Sequence, residues 1–132
     1  MTHHLLVTPD RSTFADLSLV IEARGGFISW AYSGHQALTI LSQTDVDLVV
    51  ADEAVGDMTG LEFFKRVIAL YPMINCAAVS SLSQADYHEA SEGLGLLMQL
   101  PPNPGEAEGK RLMASLDRVL QLTPAKRKET SR

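Results

Sequence analysis

The feature that most constrains this chain is a short apolar run, Leu48-Val49-Val50-Ala51, that ends abruptly on Asp52. It is rich in β-branched residues and no polar side chain interrupts it, so both of its faces need cover. That is the pattern of a central strand in a parallel sheet, not of an edge. Gly56 and Asp57 follow in a turn-prone stretch. Thr59, with Glu62 three residues on, then forms a capping box that opens a helix. Strand, carboxylate, loop and capped helix put Asp52 at the carboxyl end of the strand. In open α/β sheets, ligands and chemistry collect at that edge.

The same alternation runs along the rest of the chain. Residues 4–8 predict a first strand, stopped by Pro9, which has no N–H to donate. Ser12 then serves as N-cap for a helix with Phe14, Leu17, Val20 and Ile21 at helical spacing, closed by Gly25 and Gly26. Residues 27–31 are a second strand, and Ser33 caps a helix through Ser42 with Ala37, Leu38 and Leu41 on its apolar side. Beyond Thr59, Leu61, Phe64, Val67, Ile68 and Tyr71 form a buried stripe that Pro72 ends. A fourth strand covers 75–79. Ser83 caps a weaker helix to Glu92, whose Ala85, Ala90 and Leu94 are too small or sparse to pack tightly. A fifth strand, 96–100, is broken by Pro101, Pro102 and Pro104, and a last helix runs from Glu106 to Leu122.

Five strands alternating with five helices over residues 1–122 predict one α/β domain. Its core is a doubly wound five-stranded parallel sheet with right-handed crossovers and the strand order 2-1-3-4-5. That order brings Thr8, Pro9, Asp10, Asp52 and Ser80 to a common edge.

Charge and composition narrow the function. The net charge is −5, yet residues 123–132, expected to be a basic tail or linker, hold Lys126, Arg127, Lys128 and Arg132 against Glu129 alone. The remainder is strongly acidic, which argues against a nucleic-acid face on the folded domain. No apolar run approaches the ~20 residues of a membrane span. A single cysteine, Cys76, permits no internal disulfide and is expected to be an inert buried thiol. With no basic-then-apolar leader after Met1, the expected compartment is the cytoplasm. His3, His4, His35 and His88 lack metal-ligand spacing, and no glycine-rich loop precedes a helix, which weighs against a nucleotide or flavin site.

On the residues from Asp47 to Asp52 and on Gly60-Leu61-Glu62, the chain resembles the receiver domains of response regulators, the phosphate-accepting modules of bacterial two-component signalling. The resemblance covers about residues 4–122 and implies a flavodoxin-like (βα)5 fold. It puts Asp52 on the family's phosphoacceptor aspartate, Ser80 on the hydroxyl residue that binds the phosphoryl group, and Pro101 on the proline after the last strand. The family also has an acidic pair after the first strand, which holds Mg²⁺, a lysine at the end of the fifth strand and an aromatic switch residue. Here those positions carry Thr8 and Pro9, Leu100, and Leu97.

A carboxylate that attacks phosphorus needs positioning and charge neutralisation, and Mg²⁺ wants oxygen ligands that include one or two carboxylates. Thr8 offers no charge, Pro9 only its carbonyl, and Leu100 nothing. The expectation is therefore a degenerate, non-enzymatic receiver that works by protein contact and needs no cofactor. Its partner would be a histidine kinase, an output domain or another signalling protein. The alternative is a conventional phosphoacceptor, phosphorylated on Asp52 by a histidine kinase, with Mg²⁺ held by Asp10, Asp52 and Asp57. Each of those acids also has a plainer reading, as a solvated side chain or, for Asp52, as an acceptor for loop N–H groups. An enzyme or ligand-binding protein on this fold is a third option, disfavoured by the missing nucleophile–base pair. In the family the fourth helix, fifth strand and fifth helix form the partner or dimer face, here residues 83–122. The family also often has a cis bond before the proline, so Leu100–Pro101 is expected to be cis.

Overall fold

The computed structural model describes residues 2–121. Met1, Leu122 at the end of the expected last helix, and the basic tail lie outside the described residues. Five strands, β1 (His3–Val7), β2 (Phe27–Ala31), β3 (Leu48–Ala51), β4 (Asn75–Val79) and β5 (Met98–Leu100), form one sheet in the order β2-β1-β3-β4-β5. Every pairing is parallel, with Leu5 opposite both Ser29 and Val49, and Ala78 opposite both Ala51 and Gln99. The helices are α1 (Ala15–Ala23), α2 (Gly34–Gln43), α3 (Gly60–Leu70), α4 (Gln84–Ala90) and α5 (Glu106–Gln121). None is long and apolar enough to cross a membrane.

Side chains that alternate along the central strands divide the core in two. Leu5, Val7, Val49 and Ala51 pack with Phe63, Phe64 and Val67 of α3 and with Ala37 and Leu41 of α2. Leu6, Leu48 and Val50 face the other way, onto Leu17 and Ile21 of α1 and Leu112 and Leu116 of α5. β3 is buried along its whole length, as its unbroken apolar sequence requires. The capping box forms as the sequence predicts. Thr59 Oγ1 accepts from the Glu62 N–H at 3.1 Å, and Glu62 Oε1 accepts from the Thr59 N–H at 2.9 Å.

Several local expectations are corrected. β1 starts and ends one residue early: His3 already pairs with Phe27 of β2, and Thr8, whose hydroxyl bonds Asp52 in the site described below, lies just past its end. Ser12 does not cap α1. Asp10 caps a short 3-10 turn, Arg11–Phe14, that leads into it, and Ser12 supplies the N–H that Asp10 accepts. On α3 the stripe is rotated toward Phe63, with Leu61, Ile68 and Tyr71 only half-buried. β5 is shorter than expected, leaving Leu96 and Leu97 outside it. The Leu100–Pro101 bond is trans, since the described residues contain no cis peptide. Pro101 is exposed, and trans is the form an X–Pro bond prefers when packing does not oppose it.

α4 is the loose element its sequence suggests. No residue of it is fully buried. Tyr87 is its half-buried anchor, and the Tyr87 hydroxyl is buried with no hydrogen-bond partner among the described residues, so burial pushes its pKa up to about 12.

Candidate functional site

The carboxyl edge of the sheet brings Thr8, Asp52 and Ser80 to the ends of β1, β3 and β4. Asp52 leaves β3 half-buried and is held on both oxygens. Its Oδ1 accepts from the Glu53 N–H at 2.8 Å, and its Oδ2 accepts from the Thr8 hydroxyl at 2.8 Å. Thr13 Oγ1 lies 3.2 Å from the same Oδ2 and 3.0 Å from the Asp10 carbonyl. A hydroxyl has one proton to give. The charge-assisted bond to Asp52 takes the proton of the fully buried Thr8, whose oxygen in turn accepts from the Asp10 N–H at 3.1 Å. Thr13 was not foreseen from the sequence. The 3-10 turn returns it to the site, and a Thr-x4-Thr spacing alone does not reveal such a turn.

The other acids of this edge are engaged elsewhere. Asp10 Oδ1 accepts from the Ser12 hydroxyl at 2.7 Å and from the Ser12 N–H at 3.0 Å, bonds that hold its pKa below the usual carboxylate value. Asp57 accepts from the Gly34 N–H at 2.7 Å and the His35 N–H at 3.1 Å at the start of α2, which lowers its pKa likewise. Glu53 Oε2 accepts from both the N–H and the hydroxyl of Ser81, each at 2.8 Å.

Mg²⁺ needs near-octahedral oxygen ligation. Around Asp52 the carboxylates are turned to protein donors, and among the described residues no cluster of three or more His, Cys, Asp or Glu is placed to hold a metal ion. As arranged, the Asp10, Asp52, Asp57 and Glu53 carboxylates each already accept from a protein donor. Asp52 makes no ion pair among the described residues. Pro9 is exposed, Leu100 is fully buried in the core against α1 and α5, and Leu97 is half-buried beside it.

Ser80 is buried, with its N–H donated to the Leu100 carbonyl at 2.9 Å and its Oγ accepting from the Leu82 N–H at 3.1 Å. Gln99 Nε2 donates to the Ser80 and Leu82 carbonyls at 3.3 and 3.0 Å. The loop after β4 is thus tied to β3 through Glu53 and to β5 through Gln99. Glu53→Ala removes the first tie. Amide exchange at Ser81 and Leu82 should then quicken roughly tenfold, with global stability changed by less than about 1 kcal/mol. Hydrogen-exchange NMR reads both, and unchanged exchange would show that Gln99 alone holds the loop.

The family model of the response regulator receiver domain matches residues 5–100. This chain is a member of that family. Among sequence relatives of this receiver domain, the transcriptional regulatory protein ZraR of Salmonella typhimurium is 30% identical over 82 residues, 62% of this chain and 19% of that protein. The transcriptional regulatory protein GlrR of Escherichia coli is 31% identical over 70 residues, 53% of this chain and 16% of that one. The receiver domain therefore spans less than a fifth of the length of these relatives.

Solved structures that share its fold include two receivers. The chemotaxis response regulator CheY4 of Vibrio cholerae superposes with a TM-score of 0.76 at 22% identity, covering 91% of this chain and 99% of that chain. The signal receiver domain of an HD domain-containing protein from Pseudomonas fluorescens gives 0.78 at 20% identity, covering 96% and 92%. The fold expected from the alternation of elements is the one observed, including its strand order.

Proposed function

We propose that this receiver domain signals by protein–protein contact in a two-component pathway, without the Mg²⁺-dependent phosphorylation of Asp52. The observation that carries the proposal is the Thr8 hydroxyl bonded to Asp52 Oδ2 at 2.8 Å, at a position where the family's acidic pair would hold a metal. A neutral donor there satisfies the carboxylate but does not neutralise a phosphoryl group. Leu100, buried where the family has its lysine, cannot do so either.

In this reading the domain is not an enzyme and works in the cytoplasm, and its binding partner is a histidine kinase, an output domain or another signalling protein. The names of ZraR and GlrR point to transcriptional regulation as one such output. The partner face is the segment 83–122, where α4 presents an almost wholly exposed surface that includes Asp86 and Glu89. Residues 1–122 form the signalling domain, and the basic stretch after it is a tail or linker.

One observation favours the second reading, a phosphoacceptor. The buried Ser80 hydroxyl accepts from Leu82 but donates to no group among the described residues, leaving its proton for a phosphoryl oxygen. Beryllofluoride with millimolar Mg²⁺ separates the two, read by amide NMR on wild type and Asp52→Ala. The expected result is no shift change around Asp52 and Ser80. Changes that need both Mg²⁺ and the Asp52 carboxylate would overturn the contact-only reading.

A further inference from the structure

Toward the amino-terminal end of the sheet, away from the edge that carries Asp52, β1 and β2 bring a histidine onto a serine. The register sets His3 beside Phe27 and Leu5 beside Ser29, so His3 and Ser29 share one face. His3 Nε2 lies 2.8 Å from Ser29 Oγ, and His3 Nδ1 lies 3.0 Å from the Asp45 carbonyl oxygen. A carbonyl can only accept, so Nδ1 carries the ring proton. In the neutral ring Nε2 is then the acceptor, and the Ser29 hydroxyl donates to it.

A hydroxyl on a base whose far nitrogen is held by a third group is the arrangement of an activated nucleophile. The sequence hid it, because the two residues stand on different strands, 26 positions apart. Both are half-buried, within reach of a reagent, and the exposed Phe27 ring packs edge-on against His3 as apolar ground beside them. The main chain adds a donor. Phe27 N–H donates to Thr2 and the Ala31 carbonyl accepts from Thr8, on the β1 side, so alternation turns the Trp30 N–H to the open edge of β2. That N–H, one residue after Ser29, has no partner among the described residues and can meet a developing oxyanion.

We propose that Ser29 is a site of covalent acylation, taking an acyl group from a neutral activated ester or thioester with His3 as the base. The bond from Ser29 Oγ to the acyl carbon forms, the donor's carbon–oxygen or carbon–sulfur bond breaks, and the leaving group departs with the electron pair. The serine proton passes to His3 Nε2 and from there to water. Charge selects the donor. Asp47 accepts from the His3 N–H at 2.8 Å, and Asp45, whose carbonyl holds the ring, is exposed, so an anionic phosphoryl donor is repelled. The chain itself is the acceptor and ends acylated, whether or not Asp52 takes a phosphoryl group.

Acetylation of the full chain by p-nitrophenyl acetate at neutral pH, mapped by peptide mass spectrometry, tests this. Any affinity tag sits at the carboxyl terminus, so that His3 keeps its native neighbours. Ser29 should acetylate roughly hundredfold faster than the exposed Ser42 and Ser83, whose hydroxyls bond only main-chain groups. Denaturing urea should abolish that lead. His3→Gln, checked for folding by circular dichroism, keeps a polar side chain but lacks the base, and should slow Ser29 by about the same factor. Ser29 reacting no faster than Ser42 and Ser83 in the folded wild type would overturn the proposal, as would a lead that survives urea. A folded His3→Gln chain acetylated at the wild-type rate would also overturn it.

Discussion

Replacing Gly60 by alanine is expected to destabilise the domain by about 3 kcal/mol, the upper range for overpacking. A Cβ at Gly60 would stand 2.3 Å from the carbonyl oxygen of Asp52, and that oxygen belongs to backbone at the end of β3. The Gly60 N–H also donates to the Glu53 carbonyl at 2.9 Å, so α3 cannot retreat without losing that bond. Gly34, likewise buried at the start of its helix, is the control. There a Cβ would meet the Met58 methyl at 2.9 Å, the far end of a flexible side chain that can swing away. Gly34→Ala should cost under about 1 kcal/mol. Urea denaturation of both variants decides it, and equal losses would mean that the close approach at Asp52 relaxes freely.

Acidification should destabilise the domain through His4. This histidine is fully buried, its Nε2 shares a hydrogen bond with the Thr2 hydroxyl at 2.7 Å, and its Nδ1 has no partner among the described residues. Burial lowers its pKa from 6.5 to about 4, against the upward pull of the Asp47 carboxylate and with a smaller downward push from His3. The folded state therefore resists a proton that the unfolded chain accepts, so stability falls with pH between 6.5 and about 4. Above pH 7 the effect vanishes. At the bottom of the window the penalty reaches about 3 kcal/mol, and at pH 5 it is about 2 kcal/mol. His4→Leu keeps the bulk and removes the titration. The difference between wild type and variant in urea denaturation should shift by that amount between pH 7.5 and 5, and a pH-independent difference would clear His4 of the role.

The sequence disclosed most of the fold because periodicity and punctuation agree along it. The β-branched run 48–51, the Thr59–Glu62 box and the turn residues after each strand all point to one topology, and the strand order is the common one for five-stranded doubly wound sheets. Around Asp52 it disclosed the neighbours that sit at strand ends. It did not disclose Thr13, which reaches the carboxylate only through a 3-10 turn, nor the use of Asp10 as that turn's cap. Both depend on how five residues coil after Pro9, where a cap on Ser12 and a cap on Asp10 have almost the same signature. The tie from Glu53 to Ser81 was missed for another reason. Alternation predicts that Glu53 points away from Asp52 if the strand continues, but Glu53 lies in a bend beyond β3, and from there its carboxylate reaches the loop after β4.

The way α4 is seated sets an order of opening within the domain. A helix that contributes no fully buried residue, and that strands the Tyr87 hydroxyl when it docks, gains little by staying in place. Its detachment leaves Phe63, Phe64 and Val67 still covered by the sheet, so the core remains cooperative while one flank comes loose. A partner that grips α4 works against the weakest joint of the molecule, and reshaping that flank draws only slightly on the stability of the whole.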